Sequence, residues 1–359
     1  MASPALTPPP LEARPLNDLS PAELKAQLAA ASPTDAEIRK IFGALHHRAG
    51  DIPALTSIAN VRRTVLDEAQ RGFVSRLEVV DRRKAPDGFV KYLFRSPRGG
   101  EFEAVRIPIF DEKHVVCISS QVGCALACDF CMTGKMGFKR NLATWEIVEQ
   151  IRIVRAEAER PVRGIVFMGM GEPLLNYDNA IRAAKIFSNP AGYQIGGKGI
   201  TFSTAGVVPA IRRFTRDHHS FRLAFSVTSA IPEKRAKVLP IERTHPLPEL
   251  VAAIREYTEV RRERAVIAYV LIKGFNTGLE DAEALQRTFA GIPVKIDLIE
   301  VTDPTGTYLP PESEELEAFR DHLQILKSPI ARRYSGGKEI GAACGTLAAT
   351  REGGELLPR

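Results

Sequence analysis

The sequence predicts an α/β protein: an open, partial (β/α)6 barrel of the TIM type, preceded by a small N-terminal helical module and short β hairpins. Two observations carry this expectation. Six apolar segments recur between residues 114 and 301, and helix-like stretches of ten residues or more follow most of them. The chain has 359 residues, room for one large domain plus a smaller one, and its 44% hydrophobic content is that of a globular protein.

Each element follows from its local signals. Residues 1–17 hold Pro8-Pro9-Pro10 and read as a flexible tail. Residues 18–75 read as a helical module. Ser20-Pro21-Ala22-Glu23 supplies an N-cap, a proline at the first helical position and a glutamate at the third, and Thr34-Asp35 marks a second start. Residues 76–109 form short strands around Val79, Tyr92 and Val105, turning at Pro86-Asp87-Gly88 and Pro97-Arg98-Gly99-Gly100. Residues 110–345 are the core. Its strands are expected at His114–Ser119, Gly164–Gly169, Gly199–Gly206, Arg222–Ser229, Ala265–Ile272 and Val294–Val301, with helices such as Thr144–Glu157 and Pro248–Arg261. Strands alternating with helices imply parallel βα units. A closed barrel needs two more strands, for which residues 114–330 leave no room. Residues 346–359 are a C-terminal tail. Active sites of such folds gather at the C-terminal ends of the strands.

Lys and Arg total 49 against 43 Asp and Glu, a net +6 with a pI near 9.1, which permits a polyanionic partner. No apolar run approaches the about 18 residues of a membrane span. The N-terminus lacks the basic start and apolar core of a signal peptide. Five cysteines is an odd number, and three fall within eight residues, which argues for a metal or redox role in a reducing cytoplasm.

Those three form Cys124-Ala-Leu-Ala-Cys128-Asp-Phe-Cys131, a C-x3-C-x2-C run just after the first core strand. Thiolates are the usual ligands of iron–sulfur clusters. A 4Fe–4S cluster held by three cysteines leaves one iron open to an external amine and carboxylate, such as those of S-adenosylmethionine (SAM). Zinc is the main alternative, but structural zinc takes four ligands, and no second cysteine pair or nearby histidine supplies the rest. Three unreactive core cysteines are a second alternative. Gly169-Met170-Gly171-Glu172-Pro173 ends the next strand. Its carbonyls and carboxylate suit an ammonium group, although alone it also reads as an ordinary tight turn.

Together these residues resemble the RlmN/Cfr family of radical SAM RNA methyltransferases, from about Glu103 to Ala348. The strongest matches are Cys117-Ile-Ser-Ser-Gln-Val-Gly-Cys124, Gly137-Phe-Lys-Arg-Asn-Leu142, Phe167-Met-Gly-Met-Gly-Glu-Pro-Leu-Leu-Asn176, Ser203-Thr-Ala-Gly-Val-Val-Pro209 and Ala342-Ala-Cys344-Gly345. The resemblance implies a radical SAM barrel using a 4Fe–4S cluster on Cys124, Cys128 and Cys131, and two SAM per turnover. It further implies that Cys344 becomes methylated and delivers its carbon to an adenine ring carbon. Cys117 then releases the product as a Cys117–Cys344 disulfide. Glu103 matches the family's proton acceptor; as an isolated strand residue it also reads as a plain exposed glutamate. Gly171, Glu172, Ser203, Ser226, Val227, Thr228 and Thr302 stand at positions of the family's SAM-holding loops.

The implied substrate is 23S rRNA, with tRNA as a further one, methylated at carbon 2. Methylation at carbon 8, a radical SAM enzyme with another substrate, and a zinc-bound RNA-binding module are the alternatives. The implied partners are RNA and an electron donor such as flavodoxin or ferredoxin, with no membrane, for a cytoplasmic monomer. Two loops depart from the family. Its Ser-Leu-His-Ala is here Ser226-Val227-Thr228-Ser229, and its Asn-Leu-Ile-Pro-x-Asn is Asp297-Leu298-Ile299-Glu300-Val301-Thr302. Arg62-Arg63, Arg82-Arg83-Lys84, Lys139-Arg140 and Arg332-Arg333 are candidate phosphate contacts or merely solvated faces. Tyr92, Phe94 and Phe138 are candidate stacking or core aromatics.

Overall fold

A computed structural model describes residues 14–46, 55, 57–110 and 112–348. Three strands come first: β1 (Glu78–Lys84), β2 (Val90–Arg95) and β3 (Glu101–Ile109). The core strands are β4 (Lys113–Cys117), β7 (Val162–Phe167), β8 (Ile200–Thr204), β9 (Arg222–Ser226), β10 (Ala265–Leu271) and β11 (Val294–Glu300). All six lie where the apolar segments predict them. The short β5 (Gln121–Val122) and β6 (Arg140–Asn141) pair only with each other, and β12 (Ile330–Arg332) comes last.

The sheet runs β1-β2-β3-β4-β7-β8-β9-β10-β11-β12. Pairing is parallel from β4 to β12 and antiparallel from β1 to β4. Two features go beyond the sequence reading. The hairpin strands are not a separate layer, because β3 pairs with β4 and brings Val105 opposite Cys117. The three-residue β12 extends the parallel set to seven strands; it is too short for periodicity to register.

Helices such as Thr144–Ala156 and Leu247–Arg261 cover the outer face and bury their apolar sides on the strands. Phe167 and Phe202 stack at 4.2 Å on neighbouring strands, and Phe214 packs edge-on against Phe202. The expected N-terminal helices form at Pro21–Gln27 and Asp35–His46. Ser20 and Glu23 close a reciprocal capping box, and so do Thr34 and Glu37.

Both tails are shorter than the sequence reading has them. Residues 14–17 are packed: the Arg14 guanidinium reaches Asp18 at 2.7 Å and Glu23 at 2.8 Å, and Leu16 and Asn17 are buried. Residues 346–348 are packed as well, because Leu347 O accepts from Thr133 Oγ1 at 2.6 Å and Ala348 N donates to Glu103 at 3.0 Å. The remainder of both expected tails lies outside the described residues. Among those described, no helix is long and apolar enough to cross a membrane.

Candidate active site

The strand ends converge on one pocket, and the loop after β4 forms its floor. Gly123 has φ +73°, and a Cβ there would lie 1.8 Å from Gly137 O, so this tight crossing admits only glycine. The crossing turns the chain so that Cys124, Cys128 and Cys131 all line the pocket. Cys131 N donates to Cys128 O at 3.0 Å, and Cys131 caps the one-turn helix Met132–Lys135. Burial pushes the Cys124 thiol up to about 12 and Cys128 well above its ordinary value; the neighbouring thiols and Glu172 add to both. Thiolates at Cys124 and Cys128 are thus unfavourable without a bound cation.

Among the described residues, no three His, Cys, Asp or Glu side chains converge as a single bound ion needs. The fully buried Arg235 donates to Glu242 at 2.7 Å and to Ala205 O at 2.8 Å, and its charge also reaches Cys128.

Above this floor the glycine-rich end of β7 packs against the same loop. A Cβ on Gly169 would lie 2.7 Å from Ile118 O, and one on Gly171 (φ +95°) 2.5 Å from Gln121. These glycines are thus needed for chain packing as well as for an open pocket. Glu172 is buried and ties two strand ends together, accepting from Leu174 N at 3.0 Å and Ala205 N at 2.9 Å. Burial raises its carboxyl to about 7, against the pull of those two amides.

Ser203 and Ser226 meet at 3.4 Å on the pocket wall. Thr302 also lines the pocket, and its buried hydroxyl has no hydrogen-bond partner among the described residues. An orphaned donor beside a carboxylate and two serines suits a zwitterionic ligand. Val227 and Thr228 are not brought to this wall. Both are fully buried; Thr228 takes φ 58°, and its carbonyl accepts from Asn276 Nδ2 at 2.6 Å. Asn276 also donates to Val270 O and accepts from Ile272 N, clamping the ends of β9 and β10.

The remaining two thiols lie close enough to interact electrostatically. Cys117 ends β4 and is buried, while Cys344 is largely exposed yet lines the pocket beside Gly345. Burial pushes Cys117 far up, and the nearby Cys344 sulfur adds to this. The surrounding protein raises Cys344 as well, and Arg333 opposes the rise at both sulfurs. Arg333 is held by Leu298 O at 2.8 Å, the Met168 sulfur at 3.4 Å and Asp297 at 3.6 Å. Glu103 is not an exposed glutamate. It is fully buried, pairs with the buried Lys91 at 3.0 Å and accepts from Ala348 N. Gly345 O accepts from Met132 N at 2.8 Å, which joins the Cys344 segment to the cysteine-rich loop.

These contacts decide between readings of the other candidates. Arg62, Arg63, Arg82, Arg83, Arg140, Arg332 and Arg333 all pair with carboxylates. Tyr92 and Phe94 are core residues, whereas Phe138 is 45% exposed.

Comparison with known proteins agrees with this layout. Residues 118–288 match the Radical SAM superfamily. A protein of Myxococcus xanthus described as "Probable RNA methyltransferase" is 68% identical over 346 residues, covering 96% of this chain and 97% of that one. The "Dual-specificity RNA methyltransferase RlmN" of Geobacter sulfurreducens is 40% identical, covering 86% of this chain and 85% of its own. The chain belongs to the RlmN-like radical SAM RNA methyltransferases. A crystal structure of a radical SAM methyltransferase from Sphaerobacter thermophilus superposes with a TM-score of 0.86 at 35% identity, covering 94% of this chain and 99% of that one. Membership in this family implies an iron–sulfur cluster, SAM and an RNA substrate.

Sequence reasoning missed Lys91, Arg235 and Asn276, and left Arg333 between a phosphate contact and a solvated face. Only Lys91 left a signal: a lone charge inside the apolar strand Phe89-Val-Lys-Tyr-Leu-Phe94, which a buried strand tolerates only with a partner.

Proposed function

We propose that this enzyme methylates carbon 2 of an adenine in 23S rRNA, and also in tRNA, with Cys344 as the carbon carrier and Cys117 as the releasing thiol. The observation that carries this reading is the placement of Cys344 on the wall of the cysteine-lined pocket, within electrostatic reach of the buried Cys117 at the end of β4. The dual specificity of the RlmN relatives supports two RNA classes. Cys124, Cys128 and Cys131 would hold a 4Fe–4S cluster, and Gly171, Glu172, Ser203, Ser226 and Thr302 would hold SAM. Val227 and Thr228 would support that wall from behind. When bound, this pair of cofactors supplies the carbon radical that an electron-poor ring carbon requires.

The protein's own residues do the rest. The Cys344 thiolate accepts a methyl group by displacement, and Arg333 favours that thiolate. Glu103, held by Lys91, is the proton acceptor as the new bond to adenine matures. Cys117 then attacks the Cys344 sulfur as a thiolate. The carbon–sulfur bond breaks with its electron pair passing to the methylene carbon on the base, which takes up a proton to become the methyl group, and a Cys117–Cys344 disulfide forms that a thiol reductant reopens. An electron donor such as flavodoxin or ferredoxin would serve the cluster, in a monomeric enzyme of the reducing cytoplasm.

The test is a Cys117→Ala variant expressed with its RNA. It is expected to carry covalently attached RNA that nuclease removes and denaturant does not, whereas Cys344→Ala carries none. Normal turnover by Cys117→Ala would overturn the two-thiol reading. Mass spectrometry of ribosomal and transfer RNA from cells with and without the gene reads the RNA class and separates 2-methyladenine from 8-methyladenine.

A further inference from the structure

A second cleft, of about 630 Å³, adjoins the cysteine-lined pocket. That is well within the roughly 300–1,000 Å³ of small-ligand sites. Its walls are the turn Ala85-Pro86-Asp87 and the loop 332–339, and Glu300 lines both cavities. Its charges balance: Arg332, Arg333 and Lys338 face Asp87, Glu300 and Glu339. Arg332 and Lys338 both pair with Glu300, and Arg333 pairs with Asp297. A lining so neutralised is poorly suited to trapping phosphate. What it offers instead is a ring.

Tyr334 is 76% exposed, yet it is held in place. Its hydroxyl donates to Asp87 Oδ2 at 3.0 Å, and Phe89 packs against it edge-on at 6.0 Å. The same Asp87 oxygen accepts from Gly337 N at 2.8 Å. Gly336 makes room for this arrangement. A Cβ there would lie 2.4 Å from the Phe89 ring and 2.6 Å from the Tyr334 ring. A ring fixed before binding has little rotamer freedom left to lose. It also sits next to the chemistry. Arg333 acts on both rim thiols, and Ser335 Oγ accepts from Cys344 N at 3.4 Å.

We propose that Tyr334 is a stacking platform for an unpaired base beside the target adenine of the RNA. This rests on the RNA-methylating reading above and adds the subsite that receives the neighbouring nucleotide. Drawing the target base into the pocket strips its neighbours of a stacking partner. An exposed, immobilised phenol ring in an electrically balanced cleft replaces that partner and tolerates any base.

The test uses iron-loaded enzyme and a fluorescent hairpin RNA with the target adenine in its loop, with binding read by anisotropy. Matching hairpins carry an abasic residue on either side of the adenine. Tyr334→Ala is expected to weaken binding about 5- to 150-fold, the range of base–aromatic stacking. Tyr334→Phe, which keeps the ring and loses the Asp87 bond, should stay within about threefold of the parent. One abasic position should weaken the parent as much as Tyr334→Ala does, and should cost that variant nothing further. Equal losses in the Phe and Ala variants, or an abasic effect that persists undiminished in Tyr334→Ala, would overturn the platform and leave RNA methylation standing. Failure of the parent enzyme to bind any of these RNAs would overturn both.

Discussion

The loop bearing Cys124, Cys128 and Cys131 combines contacts within itself with distant ones such as Asp129 N on Val238 O, whereas the segment bearing Cys344 is placed on the pocket mainly by residues far away in sequence. In the first, the Gly123–Gly137 crossing and the bond from Cys131 N to Cys128 O set the geometry. In the second, regular structure is limited to the single turn Lys338–Ile340. Its position comes from Met132 N on Gly345 O, Thr133 on Leu347 O, and Glu103 on Ala348 N, the last spanning 245 residues. The difference fits the roles proposed for each set of thiols. Cluster ligands must hold fixed mutual positions, which one short loop supplies. A carrier thiol needs only to be delivered to the pocket rim, and distant contacts can do that.

The sharpest way to break this contrast is to remove thiols. Cys128→Ala is expected to abolish iron and sulfide binding and, with them, SAM cleavage. Cys344→Ala is expected to keep its full iron and still cleave SAM while transferring no methyl group. Iron and sulfide analysis with 5′-deoxyadenosine quantification reads both, and iron loss in Cys344→Ala would show that the two segments are not separately built.

A smaller effect is expected from the anchor of the Cys344 segment. Lys91→Met leaves the buried Glu103 carboxylate without its cation, a loss of about 3–5 kcal/mol for a broken buried pair. Hydrogen exchange should rise chiefly over residues 341–348, with iron content unchanged. Adding Glu103→Gln should restore part of the stability. A uniform loss of protection over the barrel would mean that the pair supports the fold as a whole. The smallest change is Thr133→Val, which removes the hydroxyl bond to Leu347 O and should cost about 1 kcal/mol. Chemical denaturation checks the magnitude, and a change in cluster absorption would blur the separation of the two segments.

Local signals in the sequence were strong where function rests on neighbours in the chain. Spacing singled out Cys124, Cys128 and Cys131, which the structure gathers in one pocket; alternation exposed β4 and β7–β11, and the reciprocal Ser20–Glu23 pattern exposed a helix start that the structure repeats. Three-residue β12 was too short to show a period. Thr228 matched a SAM-loop position, yet its left-handed backbone turns it into the core. Arg140 read as either a phosphate contact or a solvated face, and it bonds Glu146 and Gly99 O. A basic pair in a sequence carries no sign of which carboxylate folding will set against it.

By itself the sequence determined the chain's parallel βα core, its cysteine-rich loop and its family, because periodicity, spacing and motif are properties of adjacent residues. Only the tertiary structure decided that β3 joins the barrel sheet, that Lys91 neutralises Glu103, and that the Arg333 charge comes within electrostatic reach of Cys117 and Cys344. It alone also set Tyr334 against Phe89 and Asp87 at the mouth of the second cleft. Each of these joins residues from separate strands or loops. Their energies depend on burial and on charges brought close by the whole fold, and no local pattern encodes either.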